Sequence, residues 1–254
     1  MPLSNRNIVS LFFRLILGFV YLSAGFSKFA PDYIGNVIGP SKLPDDLFPI
    51  EVLYLFYTMA FLQILAGTLI LSLRYAGAGL LVLLPLTTSI FIFTLVAGFG
   101  ATPIINVILL GITILEVYKE YVIFSKHGLD QSFISYMLRK NEDQYPKKIV
   151  HIIVLLIILN FISLPFQYIH LTILLSAALC LLTVILMQLN GLIILDRLSI
   201  IIFMLFSLSV INGIWLKELV PNFFYKVLVL IPIGTIIGLL RLVWYRYIIK
   251  KQLS

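Results

Sequence analysis

Few side chains in this 254-residue chain could do chemistry, and most of those stand inside apolar sequence. Arg14 falls about two helical turns into the apolar stretch at residues 8–29. Glu116 falls about two turns before the end of another, residues 103–124, which runs the opposite way. Ionisable groups within such stretches are costly and are functional candidates by default. The matched depths allow an ion pair between Arg14 and Glu116; the alternative is that each snorkels separately to the nearer interface. Lys28 ends the same stretch that holds Arg14, close in sequence to Asp32, Asp45, Asp46 and Glu51. That placement predicts a salt bridge to these acids, or a substrate site built from Lys28 with Asp32 or Glu51. Gln63 and Asn160 are amides at mid-depth, and such groups ordinarily hydrogen-bond between helices for about 1 kcal/mol or less.

Other reactive sets are missing from the sequence. The three histidines, His127, His151 and His170, have no ligand spacing, so no metal site is expected. One cysteine, Cys180, makes neither an internal disulfide nor a Cys-based metal cage. There is no Ser–His–Asp set and no phosphate-cradling glycine loop, so the residues by themselves point to no catalytic group and no cofactor. Glycines read as packing instead. Gly18 and Gly25 lie seven residues apart on one helix face, and Gly234 and Gly238 form a small-xxx-small pair just after Pro232. Both pairs predict close helix contacts within the chain.

The elements that must position these groups follow from composition. The chain is 61% apolar and only 11% charged, with a mean hydropathy of +1.10. Soluble domains are about half apolar and a quarter charged. A soluble enzyme, a nucleic-acid-binding domain and a disordered tail are therefore excluded. A membrane-crossing helix needs about 20 mostly apolar residues. Eight stretches qualify: residues 8–29, 52–73, 75–97, 103–124, 149–166, 171–189, 198–216 and 223–242. None alternates with the period of two that a membrane β-barrel requires. The predicted fold is all-α, a polytopic bundle of about eight spans. The first span is read as retained rather than cleaved, because it is too long for a signal segment and contains Arg14.

Lys and Arg placement sets the orientation. With the N-terminus in the cytoplasm, thirteen basic residues fall inside, and four (Lys28, Lys42, Lys217 and Lys226) fall outside. Eight spans return the C-terminus to the cytoplasm. The net charge of +7 is thus mostly a cytoplasmic face and no sign of nucleic acid. The polar stretch 125–148 divides the chain into two four-helix halves, residues 1–124 and 149–254. Within it, residues 131–139 form a short amphipathic piece. It reads as a surface helix on the inner leaflet, or as a docking site for a cytoplasmic partner.

The segment RLILGFVYLSAGFSKF, residues 14–29, resembles the opening of the DoxX-like membrane proteins, which include the MauE branch. Arg14, Gly18, Gly25 and Lys28 match that pattern, Gln63 and Gly67 stand where the family has an acid and a glycine, and Arg74 follows the hairpin. FSKHGLD, ending at Asp130, is similar to the family's closing segment. The resemblance covers about residues 8–131. It implies a membrane subunit of a quinone-linked oxidoreductase, or a maturation factor for a periplasmic enzyme. Quinone enters as a cofactor through this resemblance alone. MauE-type proteins often carry a Cys-x-Cys-Phe-Gly element; residues 97–100 here read Ala-Gly-Phe-Gly, so a thiol relay lacks its thiols. Distantly related early-secretory cargo receptors of similar length keep a non-enzymatic role open. The expectation is a non-catalytic membrane subunit or accessory factor in the bacterial cytoplasmic membrane, with the lipid bilayer and a membrane or periplasmic protein as partners. The alternatives are a small-molecule or lipid transporter with a cavity between the halves near Gln63 and Asn160, and an enzyme acting on lipid or quinone at the outer interface.

Overall fold

The structure, a computed structural model, describes residues 5–38, 40–43, 49–100, 102–127, 132–138, 151, 154, 168–189 and 191–253. Ten helices follow one another among them, with no strand: α1 (Asn5–Phe29), α2 (Ile50–Leu71), α3 (Ala76–Val96), α4 (Thr102–His127), α5 (Phe133–Leu138), α6 (Tyr168–Met187), α7 (Ile194–Ile211), α8 (Gly213–Leu219), α9 (Phe223–Leu228) and α10 (Leu230–Leu253). Four helices are long and apolar enough to cross a membrane: α1 from Asn7, α2, α3 and α7. α6 and α10 contain shorter apolar runs, Thr172–Met187 and Pro232–Tyr245. The expected span at 149–166, with its Asn160, lies outside the described residues apart from His151 and Val154.

α4 shows which solvent the helices are built for. Asn106, Leu109, Thr113 and Glu116 are buried at alternating steps of three and four, while Val107, Ile108, Ile114 and Leu115 are exposed. Polar groups therefore line the interior and bare aliphatic groups the outside, the reverse of a soluble amphipathic helix. Such a surface suits hydrocarbon, where backbone groups must be satisfied within the helix.

α1 is the centre of the first bundle, packed against α2, α4 and, across the chain, α7. Its close approach to α2 depends on glycine. A Cβ on Gly18 would stand 2.6 Å from Leu71, and one on Gly25 would stand 2.7 Å from the Ala60 carbonyl. From the other side, a Cβ on Gly67 would lie 2.7 Å from both the Gly18 carbonyl and the Leu22 nitrogen. The α2–α3 turn is as tight as expected. Leu73 adopts a left-handed φ of 57° with its side chain fully buried, a conformation that costs an L residue roughly 1–2 kcal/mol.

One expectation is corrected here. Gly234 and Gly238 do not pack closely: a Cβ on Gly234 would meet only Ile202 at 3.6 Å, and one on Gly238 nothing within 4 Å among the described residues. The helix that should carry them as one rod from residue 223 is broken at Val229. Pro232 explains the break, since it cannot donate to the Leu228 carbonyl and its ring crowds that carbonyl. The amphipathic segment, as α5, packs on its own bundle. Met137 is buried, its carbonyl sits 2.4 Å from where a Gly77 Cβ would be, Phe133 meets Tyr121 and Phe124 edge-on, and Tyr136 meets Phe124 at a tilt.

Candidate functional site

Buried charges of the first bundle stand at the two ends of α1 and, as Arg74, in the α2–α3 turn. At one end, Ser10 and Arg14 are four residues apart and share a face of α1; Glu116 and Glu120 are four apart on α4 and meet them. Arg14 Nε donates to Glu116 Oε2 at 2.9 Å, and its terminal nitrogen Nη2 pairs with Glu120 Oε1. Ser10 Oγ donates to Glu116 Oε2 at 2.6 Å. Tyr136 of α5 donates its hydroxyl to Glu120 Oε2 at 3.1 Å. Burial, reinforced by the neighbouring Glu120 carboxylate, pushes the Tyr136 phenol up to about 12. Arg14 and Glu116 thus form an ion pair rather than snorkelling apart. Glu120, Ser10 and Tyr136 complete it, and the i,i+4 acid pair on α4 was the sequence signal for Glu120.

At the other end, Lys28 binds neither Asp32 nor Glu51. Its side chain turns back toward the N-terminus of α1, as helical side chains tend to. Nζ donates to the Ala24 carbonyl at 3.1 Å and to Gln63 Oε1 at 2.9 Å, and lies 5.5 Å from the centre of the Phe56 ring. Asp32 and Glu51 are exposed, while Lys28 is 7% exposed, so those carboxylates do not share its buried site. Asp45 and Asp46 lie outside the described residues. Gln63 sits 13 residues along α2, about 20 Å from its first residue at 1.5 Å per residue. Lys28 and Gln63 border a cavity of about 440 Å³ whose other walls include Phe56, Met59, Ile90 and Phe93. That volume falls in the usual range for small-molecule sites.

A second cavity, about 470 Å³, lies between α1 and α4 on one side and α7 and α10 on the other, walled by Phe12, Phe19, Ile105 and Phe203, with Gly234 and Gly238. The missing side chains of these glycines leave space here instead of a helix contact. Gln63 is not part of it, so the transporter cavity expected near Gln63 between the halves is not formed from that residue.

One buried pair went unread in the sequence. Arg241 of α10 donates from Nε to Asp196 Oδ1 at 2.9 Å, and its guanidinium stacks over Tyr245 at 4.8 Å. Asp196 Oδ2 also accepts from the Ile193 backbone nitrogen at 3.1 Å, capping the start of α7. The hydropathy pattern had set Asp196 between spans and Arg241 at the end of the last one. The segment after α1 joins the two parts of the chain: Gly35 donates its N–H to the Ile211 carbonyl at 3.1 Å, and Thr172 donates to the Tyr33 carbonyl at 3.3 Å. Among the described residues, no three His, Cys, Asp or Glu side chains gather as metal ligands. Arg14 is paired with two acids, whereas Lys28 and Gln63 retain hydrogen-bonding capacity beside open space. Compared with family models, with curated proteins and with solved structures, the chain finds no match in any of the three.

Proposed function

We propose that this integral membrane protein has eight spans with both termini in the cytoplasm, and serves as a non-catalytic, DoxX-like membrane subunit or accessory factor of a redox or protein-maturation system in the bacterial cytoplasmic membrane. The observation that carries this reading is the use made of residues 14–29. Arg14 is spent on Glu116 and Glu120, and Gly18 and Gly25 on the close approach of α2. The segment that bears the resemblance therefore builds a packed bundle and leaves no acid–base pair or nucleophile poised for turnover. Lys28, its last polar residue, faces a ligand-sized cavity, which suits a subunit that holds a lipid-soluble molecule for another protein.

Two measurements test it. The detergent-purified chain should give no turnover with a quinone analogue and an electron donor, and catalysis by the chain alone overturns the non-catalytic reading. In a Cys180→Ser background, a cysteine at Lys126 should be labelled by an impermeant maleimide only from the cytoplasmic side, and one at Lys42 only from the opposite side. Labelling of both positions from one side overturns the topology.

A further inference from the structure

We propose that the cavity beside Lys28 binds a single-chain amphiphile with a carboxylate head, the head held by Lys28 and Gln63 and the hydrocarbon chain lying along the α2–α3 wall. The inference rests on the membrane location argued above and not on the partner role.

The charge is the first reason. A lysine in the last turn of a helix can extend outward to water, yet Lys28 folds inward and is buried. There it meets a backbone carbonyl, an amide oxygen and an aromatic face, and no carboxylate among the described residues. A buried ammonium that neutral groups alone hold is costly, and an anion arriving with a ligand lowers the cost that the described neighbours leave. The donor count is the second reason. An ammonium has three N–H groups, and two of them are used by Ala24 and Gln63. Gln63 accepts through Oε1, so its amide NH₂ is a further donor beside the cavity. One remaining ammonium proton and one amide group match the two oxygens and single charge of a carboxylate. A phosphomonoester, with three oxygens and a charge of about −1.5 to −2, would be undersupplied.

The wall supplies the third reason. Beyond Lys28 and Gln63 the lining is mostly apolar, with Leu55, Phe56, Met59 and Phe93 among it, and its other polar side chains are the hydroxyls of Ser89 and Thr94. A small soluble anion would leave that surface empty, whereas an acyl chain entering from the bilayer covers it.

The experiment uses the full-length chain in nanodiscs of phosphatidylcholine. Radiolabelled palmitate is titrated above the carboxyl's titration range, with hexadecanol, hexadecyl phosphate and acetate as competitors. The proposal expects saturable palmitate binding near one per chain. Hexadecanol, hexadecyl phosphate and acetate should each compete roughly tenfold or more weakly, the factor expected for loss of one charge-assisted contact, of head matching or of chain burial. Lys28→Met should weaken palmitate at least about tenfold while Lys28→Arg stays within a few-fold. Gln63→Glu, which gives the ammonium an internal anion, should weaken it comparably, with melting temperature no lower than wild type as the check on folding. Equal binding of palmitate and hexadecanol, or unaltered palmitate binding in folded Gln63→Glu, overturns the proposal. Stronger binding of hexadecyl phosphate moves the site to a phosphate-headed lipid and overturns the carboxylate assignment. Turnover by the chain alone would instead overturn the non-catalytic role and leave this site standing.

Discussion

Removing Arg14 should be the most damaging single change in the first bundle. At the Arg14 end of α1 one guanidinium pairs with two carboxylates. Arg14→Met keeps much of the side-chain volume but takes from Glu116, 3% exposed, and Glu120, 15% exposed, the cation they share. Taking one partner from a buried pair costs about 3–5 kcal/mol. Glu116→Gln is milder, because Gln Oε1 can still accept from Arg14 and Ser10 while Glu120 retains the charge pairing. Losing the charge on one acceptor costs roughly 1–3 kcal/mol. At about 2–4 °C per kcal/mol for a chain near this size, Arg14→Met should lower the melting temperature by about 6–20 °C and Glu116→Gln by about 2–12 °C. The double variant should lose less than the two singles summed, since each has already removed the shared contact, with a coupling of about 0.5–3 kcal/mol. The assay is thermal unfolding in a neutral detergent, read by tryptophan fluorescence and by retention of the monodisperse peak. Additive losses, or an Arg14→Met variant melting within about 2 °C of wild type, would refute the buried network.

The remaining tests address packing, the second buried pair and α5. Gly67→Ala should destabilise by about 1–3 kcal/mol, because its methyl would strike the backbone of Gly18 and Leu22; Gly238→Ala, with open space around it, should be neutral or stabilising by up to about 1 kcal/mol. Equal effects in melting experiments would contradict the assigned helix contacts. Asp196→Asn removes the charge opposite Arg241 and weakens the cap of α7, so it should lower the melting temperature more than Asp32→Asn, whose carboxylate is exposed. Tyr136 keeps its proton longer when folded than when unfolded, since its value is raised from 10.0 to about 12. Its contribution is fully present below pH 10 and is lost as pH climbs toward 12; protease sensitivity of α5 should rise over that window in the wild type, and Tyr136→Phe should abolish the dependence.

The helical class and the position of α1 to α4 were legible because bilayer thickness sets span length, and a hydrocarbon surface tolerates a continuous apolar run. Arg14 with Glu116 was legible for a related reason: equal depth on antiparallel helices is a geometric coincidence that counting can detect. Lys28 was misjudged because nearness in sequence to Asp32 and Glu51 outweighed side-chain direction, which in a helix points toward the N-terminus and so toward Gln63. Asp196 and Arg241 escaped notice because each charge ends a hydropathy window, and 45 residues separate them. Gly234 and Gly238 show the limit of the small-xxx-small pattern, which marks where a helix can be approached closely but not whether a neighbour arrives.

The two ends of α1 differ in how completely they are neutralised, and that difference locates binding. α1 is 72% buried along its apolar window, against 39% for α2 and α3 and 28% for α7. A helix enclosed by protein can hold ionisable residues that a lipid-facing one could not. Both of its buried cations depend on what the neighbouring helices present. α4 presents two carboxylates to Arg14, with Ser10 and Tyr136 satisfying further oxygens, and so closes that end. α2 presents the Gln63 amide and the Phe56 ring to Lys28, beside a cavity. A buried charge that meets no carboxylate among the described residues and stands beside an apolar cavity is a standing preference for an anion with an apolar body, and Lys28 is placed that way.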